Sequence, residues 1–167
     1  MCAKRYFSIM PKPKNVDLLY ELMKNSKRSD RELAKVVGVS QPTITRMRRN
    51  LEKTGFIREY TVLPAVEKLG FEVIALNFLS MSAHERVKEV HGLISRNPKI
   101  LFASSGSGLD GKTLLLVSIH RDFTDFSAFT HELKSSLGLE TASVESFLFS
   151  LRADMIKHFS FKNLKQV

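Results

Sequence analysis

The run SDRELAKVVGVSQP, residues 29–42, leaves the chain little conformational freedom. Ser29 followed three residues later by Glu32 is a capping box. The serine hydroxyl accepts from the third helical amide, and the glutamate reaches back to the cap amide. A helix therefore starts near Asp30 and carries Leu33, Ala34 and Val37 on one face. Gly38 stops it, because glycine takes positive φ without strain. After Val39 alone, Ser40 caps a further helix with Pro42 in its first turn, where a missing amide is harmless. Two helices joined by so short a turn form a helix-turn-helix. Ala34 must be small where the helices cross, and Leu33, Val37, Ile44 and Leu51 fill the core. Upstream, Leu18, Leu19, Leu22 and Met23 mark a preceding helix over residues 16–24. Gly55 ends the last helix.

At about 100° per residue, Ile44, Met47 and Leu51 fall on the buried side of that last helix. Thr45, Arg46, Arg49 and Lys53 point away, with Ser40, Gln41 and Thr43 at the leading end. A helix lying in a major groove presents its N-terminal residues to base edges. Gln41, Thr43, Thr45 and Arg46 are therefore candidates for base contact, since Arg pairs with guanine and Gln with adenine. Arg49 and Lys53 are placed for phosphates. The charge distribution agrees: residues 1–64 hold 14 Lys+Arg against 6 Asp+Glu, leaving 12 against 11 for residues 65–167. A basic module joined to a near-neutral one points to a polyanion-binding module beside one with another job, and with the helix-turn-helix the expected polyanion is double-stranded DNA.

The segment from Val16 to Gly70 resembles the DNA-binding half of the Lrp/AsnC (leucine-responsive) family of transcription regulators. The matching phrases are RSDRELAKVVGVSQPTITR and LEKTGFIREYTVLPAVEKLG, the second similar to that family's short β-segment and Leu-Gly hinge. The helix is also similar to that of MarR-type winged-helix repressors, but those continue into long dimerising helices and this chain continues into strands. Where Lrp-like helices carry Arg followed by Val or Ile, Met47-Arg48 stands here. Arg48, at the edge of the buried face, serves either shifted packing or an extra phosphate contact.

Beyond Gly70 the pattern reads βαββαβ. Residues 71–81 are a β-type run, Ser82 to Glu85 a capping box opening a helix, and residues 99–105 and 113–120 two strands. Residues 123–137 carry Phe126, Phe129, Leu133 and Leu137 on one helical face, and residues 143–151 alternate as a last strand. The fold class is α+β: a helix-turn-helix domain over residues 1–64 and a ferredoxin-like βαββαβ domain over residues 65–167. Two helices cover one sheet face, and the other needs cover, which a second copy of the chain can supply. The resemblance implies the same for residues 65–167, namely a homodimer or higher even oligomer. It also implies a small effector, often an amino acid, bound near a turn that reads Gly-x-x-Asp in the family; the stretch in that place here holds Gly106, Gly108 and Asp110 and departs from the pattern, with Gly111-Lys112 standing before the third strand. Residues 152–167 run past the family's usual end, as an added strand, an added helix or a tail.

Residues 106–113, GSGLDGKT, satisfy the phosphate-loop pattern G-x-x-x-x-G-K-[ST]. A true phosphate loop opens a helix whose amides hold the anion. Lys112 here leads into TLLLVSIH, so the stretch is a hairpin loop and a nucleotide-binding function is the lesser alternative. A metabolite-sensing protein without DNA affinity is the other. HERVKEVH, residues 84–91, has lysine where a zinc-protease helix needs its second histidine. No Ser/His/Asp set has a nucleophile context, so no enzyme is expected and no cofactor. Lone Cys2 excludes an internal disulfide, and the lack of a signal sequence or apolar span favours a cytoplasmic protein away from membranes.

Overall fold

A computed structural model describes residues 11–80, 87–108, 110–137 and 144–164. Among these, residues 11–63 with 157–164 form one compact unit and residues 64–156 a second.

The first unit holds three helices, α1 (Pro13–Lys24), α2 (Asp30–Val37) and α3 (Gln41–Lys53). The capping box at Ser29 is formed in both directions. Ser29 Oγ accepts from the Glu32 amide at 3.3 Å, and the Glu32 carboxylate accepts from the Ser29 amide at 2.8 Å. Gly38 ends α2 with φ +70, and its amide donates to the Ala34 carbonyl at 3.0 Å. Lys14 on α1 donates to the Val37 carbonyl at 2.7 Å, which satisfies one of the free carbonyls at the end of α2. The core is Leu18, Leu22, Leu33, Ala34, Val37, Ile44, Met47 and Leu51, drawn from all three helices.

A Cβ at Gly38 has room, its nearest neighbour being Lys14 Nζ at 3.6 Å, so the constraint there is the backbone angle alone. Gly38→Ala is expected to lower stability by about 1–2 kcal/mol, the strain of a left-handed non-glycine residue. Urea denaturation measures it.

Two local expectations change. Ser40 precedes α3, but its hydroxyl makes no cap bond and lies instead 2.9 Å from Thr43 Oγ1. The segment after α3 is not a strand: residues 58–65 run without regular structure, having no ladder partner among the described residues.

In the second unit a 3₁₀ turn (Val66–Leu69) ends at Gly70, φ +86, the expected Leu-Gly position. There follow β1 (Val73–Leu79), α4 (Val87–Arg96), β2 (Ile100–Gly108), β3 (Lys112–His120), α5 (Phe123–Leu137) and β4 (Val144–Ser150). The sheet is antiparallel, in the order β2-β3-β1-β4. The βαββαβ expectation therefore holds, with β1 shorter than the apolar run that foretold it. Ser82 to Glu85, His84 and Gly138 lie outside the described residues.

Alternation divides the strands into two faces. Leu79, Leu114 and Leu116 join Val90 and Ile94 of α4 and Phe129 and Leu133 of α5 in one core. The same face carries a buried polar chain. Ser146 donates to Asn77 Oδ1 at 2.8 Å, Asn77 Nδ2 donates to Ser118 Oγ at 2.9 Å, and Ser118 Oγ lies 2.9 Å from His120 Nε2. His120 is fully buried against the rings of Phe126 and Phe129. Burial pushes its pKa below the ordinary 6.5, partly opposed by Asp125. Between the folded value and 6.5 the unfolded chain binds more protons, so stability falls as pH drops through that window and is complete above it. The denaturation midpoint of this unit is expected to decline from pH 7 toward pH 5, and His120→Gln to flatten that decline.

The opposite face is apolar. Cross-strand registers align Phe102, Val117, Leu76 and Phe147 in one row and Ile119, Ile74 and Phe149 in another. Phe102 is 53% and Phe147 62% exposed.

Candidate nucleic-acid interface

Helix α3 is built to show one face. Ile44, Met47 and Leu51 are buried beneath α1 and α2, which fixes the opposite side outward. Gln41, Pro42, Thr45, Arg46 and Arg49 border an open surface groove. Gln41, Arg46, Arg49 and Lys53 are exposed, and Thr43 is partly buried beside Ser40. Among the described residues neither Arg46 nor Arg49 has an acidic partner, so both guanidiniums are available to an anion. Of the residues foreseen on the helix, the structure thus brings Gln41, Thr45, Arg46 and Arg49 together along one groove. Lys53 stands a turn further on, and Ser40 and Thr43 sit at the leading end.

Arg48 faces the fold. Its Nε and Nη2 lie 3.1 and 2.8 Å from Asp30 Oδ1, and Nη2 lies 3.5 Å from the Arg28 carbonyl. Thr45 donates to the other oxygen of the same carboxylate, Asp30 Oδ2, at 2.6 Å. Tyr60 covers the guanidinium, with its ring centroid 5.8 Å from the Arg48 Cζ, and donates to Glu52 at 2.9 Å. The hydrogen bond from Thr45, and then Arg48, hold the Asp30 carboxyl below its ordinary 3.8 against the desolvation that raises it. Sequence patterning gives no sign of Asp30 or Tyr60 here, because periodicity reports burial and not which polar groups meet across 18 or 12 residues.

The effector candidates lie on an exposed strand and the turn that follows it. Gly106 and Gly108 are exposed residues of the edge strand β2, and Asp110, φ +53, and Gly111, φ +82, make the turn into β3. Lys112 begins β3, almost buried, with Nζ 3.0 Å from the Glu145 carboxylate. No helix opens at this lysine, so the phosphate-loop geometry is not present in GSGLDGKT. A depression of about 250 Å³ lies nearby, lined by His91, Ile94, Ser95, Ala103, Ser104, Ser105 and Leu114, and includes none of the three. Among the described residues no group of His, Cys, Asp and Glu is arranged to hold a metal ion, and no helix is long and apolar enough to cross a membrane.

Residues 13–58 match the family described as winged helix-turn-helix DNA-binding. An uncharacterized HTH-type transcriptional regulator of Pyrococcus furiosus is 26% identical over 137 residues, which span 82% of this chain and 90% of the relative. The crystal structure of an AsnC family transcriptional regulator from Agrobacterium tumefaciens is similar with a TM-score of 0.77 at 21% identity, covering 90% of this chain and 95% of that one. A transcriptional regulator from Neisseria meningitidis, solved as a complex with L-methionine, is similar with a TM-score of 0.76 at 20% identity over 92% and 96%. The chain is a DNA-binding transcription regulator of helix-turn-helix type, with the fold of the Lrp/AsnC regulators.

Proposed function

We propose that the regulator binds specific double-stranded sites as a homodimer or higher even oligomer, with α3 of each copy in the major groove. The observation that carries this reading is the exposed Gln41–Arg46–Arg49 face on a helix whose other side is locked into a core. Gln41 and Arg46, in the first turns, suit base edges, and Arg49 and Lys53 suit the flanking phosphates. The second copy is argued from the sheet. The row Phe102, Val117, Leu76 and Phe147 leaves an apolar surface that antiparallel sheets ordinarily bury against another layer. Two-fold symmetry then sets two half-sites about one helical turn apart in a rough palindrome.

Enrichment of duplexes from a random pool by the wild-type protein tests the reading. Binding is expected to weaken steeply with salt, as each phosphate contact releases counterions. Failure to retain any duplex at low salt refutes it. The same assay with added amino acids addresses regulation. An effector such as L-methionine, the ligand of the similar Neisseria regulator, is expected to shift the dissociation constant or the unfolding temperature. Gly106, Gly108 and Asp110 are the residues to vary first in that measurement.

A further inference from the structure

A carboxylate next to a DNA-binding face is electrostatically unfavourable for phosphate binding, yet Asp30 is held beside the groove-lining residue Thr45. Both of its oxygens are used. Oδ2 accepts from Thr45, and Oδ1 accepts from Arg48 through Nε and Nη2. Thr45 and Arg48 are three residues apart on α3, so one carboxylate of α2 grips the recognition helix at two points one turn apart. Buried apolar contacts through Ile44, Met47 and Leu51 keep α3 in place but are tolerant of small rotations. Directional hydrogen bonds to a single carboxylate are not. Tyr60 adds a third restraint, covering Arg48 while bonding Glu52 near the end of α3.

We infer that Asp30 is a positioning residue for DNA recognition: through Thr45 and Arg48 it sets the roll of α3, and it holds Arg48 out of phosphate contact. The inference rests on α3 being the DNA-contacting helix. A rotation of α3 about its axis swings the tips of Gln41 and Arg46 laterally, so loss of the restraint degrades base reading more than it degrades charge attraction.

The two roles for Arg48 differ in measurable ways. A phosphate contact tolerates lysine, which is itself a good point-charge binder of phosphate, whereas a guanidinium gripping one carboxylate through two nitrogens does not. Removing a phosphate contact lowers the salt slope by about 1, and removing a positioning contact does not lower it. Removing an acid near DNA strengthens binding if charge alone matters.

The experiment measures binding to a fluorescent duplex enriched by the wild-type protein, and to a random duplex, across a salt series. Asp30→Ala and Arg48→Lys are each expected to weaken binding to the enriched duplex by about tenfold, the equivalent of a lost charge-assisted hydrogen bond. Random-duplex binding and the salt slope should not fall below wild type in either variant, and in Asp30→Ala, where Arg48 is released, both should hold or rise. The double variant should be no weaker than the worse single one, since both act through one contact. Thermal unfolding accompanies each variant. Should Asp30→Ala not fold, Asp30→Asn, which keeps an acceptor for Thr45 but loses the charge, takes its place with a smaller loss expected. Tighter binding to the enriched duplex by the Asp30 variant, or wild-type affinity for it in Arg48→Lys, overturns the inference. If Arg46→Ala weakens binding while these two variants do not, the inference fails alone. If Arg46→Ala also has no effect, the assignment of α3 fails with it.

Discussion

Arg46→Ala combined with Arg49→Ala is expected to weaken binding to the enriched duplex by about a hundredfold, with little change in unfolding temperature. The magnitude follows from one base-edge pairing worth about 1–3 kcal/mol plus one phosphate contact. Stability should hold because both side chains are exposed and, among the described residues, neither has an acidic partner to leave behind. Alanine is also the best helix former, so α3 itself loses nothing. The two substitutions should separate on a salt series. Arg49→Ala lowers the slope by about 1 while affecting all sequences alike, and Arg46→Ala relaxes discrimination at one base position. Unchanged binding by the double variant would place the interface elsewhere.

Val117→Asp is expected to convert the assembled protein to a monomer. Val117 lies opposite both Leu76 and Phe102, in the middle of the apolar row on the face away from α4 and α5. A carboxylate there remains hydrated in a lone chain but is desolvated without a partner when two sheets pack. The helix-side core should survive, because Val117 points away from Leu114 and Leu116, whose side chains fill it. Sedimentation equilibrium reads the mass. DNA affinity should fall with it by about 10²–10⁴, since the second half-site contact is no longer intramolecular. A wild-type protein that already sediments as a monomer contradicts the prediction, and so does a Val117→Asp protein that remains dimeric.

Legibility in the sequence was uneven, for physical reasons. The α2–α3 turn was readable because its stops and starts are local: the Ser29–Glu32 box and Gly38 act within a few residues of themselves. The alternation in β3 and β4 was readable for the same reason, since a strand half-covered by helices writes a period of two. Strand ends were less so, because Phe71 and Glu72 are apolar or neutral to the ladder and only pairing decides where β1 begins. The expected β-segment after α3 is irregular because a strand needs a partner, and among the described residues none pairs with it, which its own sequence cannot reveal. In the interface, outward-facing Arg46 and Arg49 followed from helical geometry. The use of Arg48 did not, because it depends on Asp30 and Tyr60, residues distant in sequence that meet only once α2 has packed on α3. Similarly, the glycine-rich turn around Asp110 was readable as a turn, because Gly106, Gly108 and Gly111 are local signals, but what it binds is not written in those residues.

The most direct measurement of the central claim is nuclease footprinting of the wild-type protein on a duplex enriched from a random pool. Two protected half-sites are expected, related by a two-fold axis and spaced by about one helical turn. Protection should be lost at both half-sites in the Arg46→Ala, Arg49→Ala protein. No enrichment above the starting pool, or a footprint that the double variant reproduces in full, would contradict the claim.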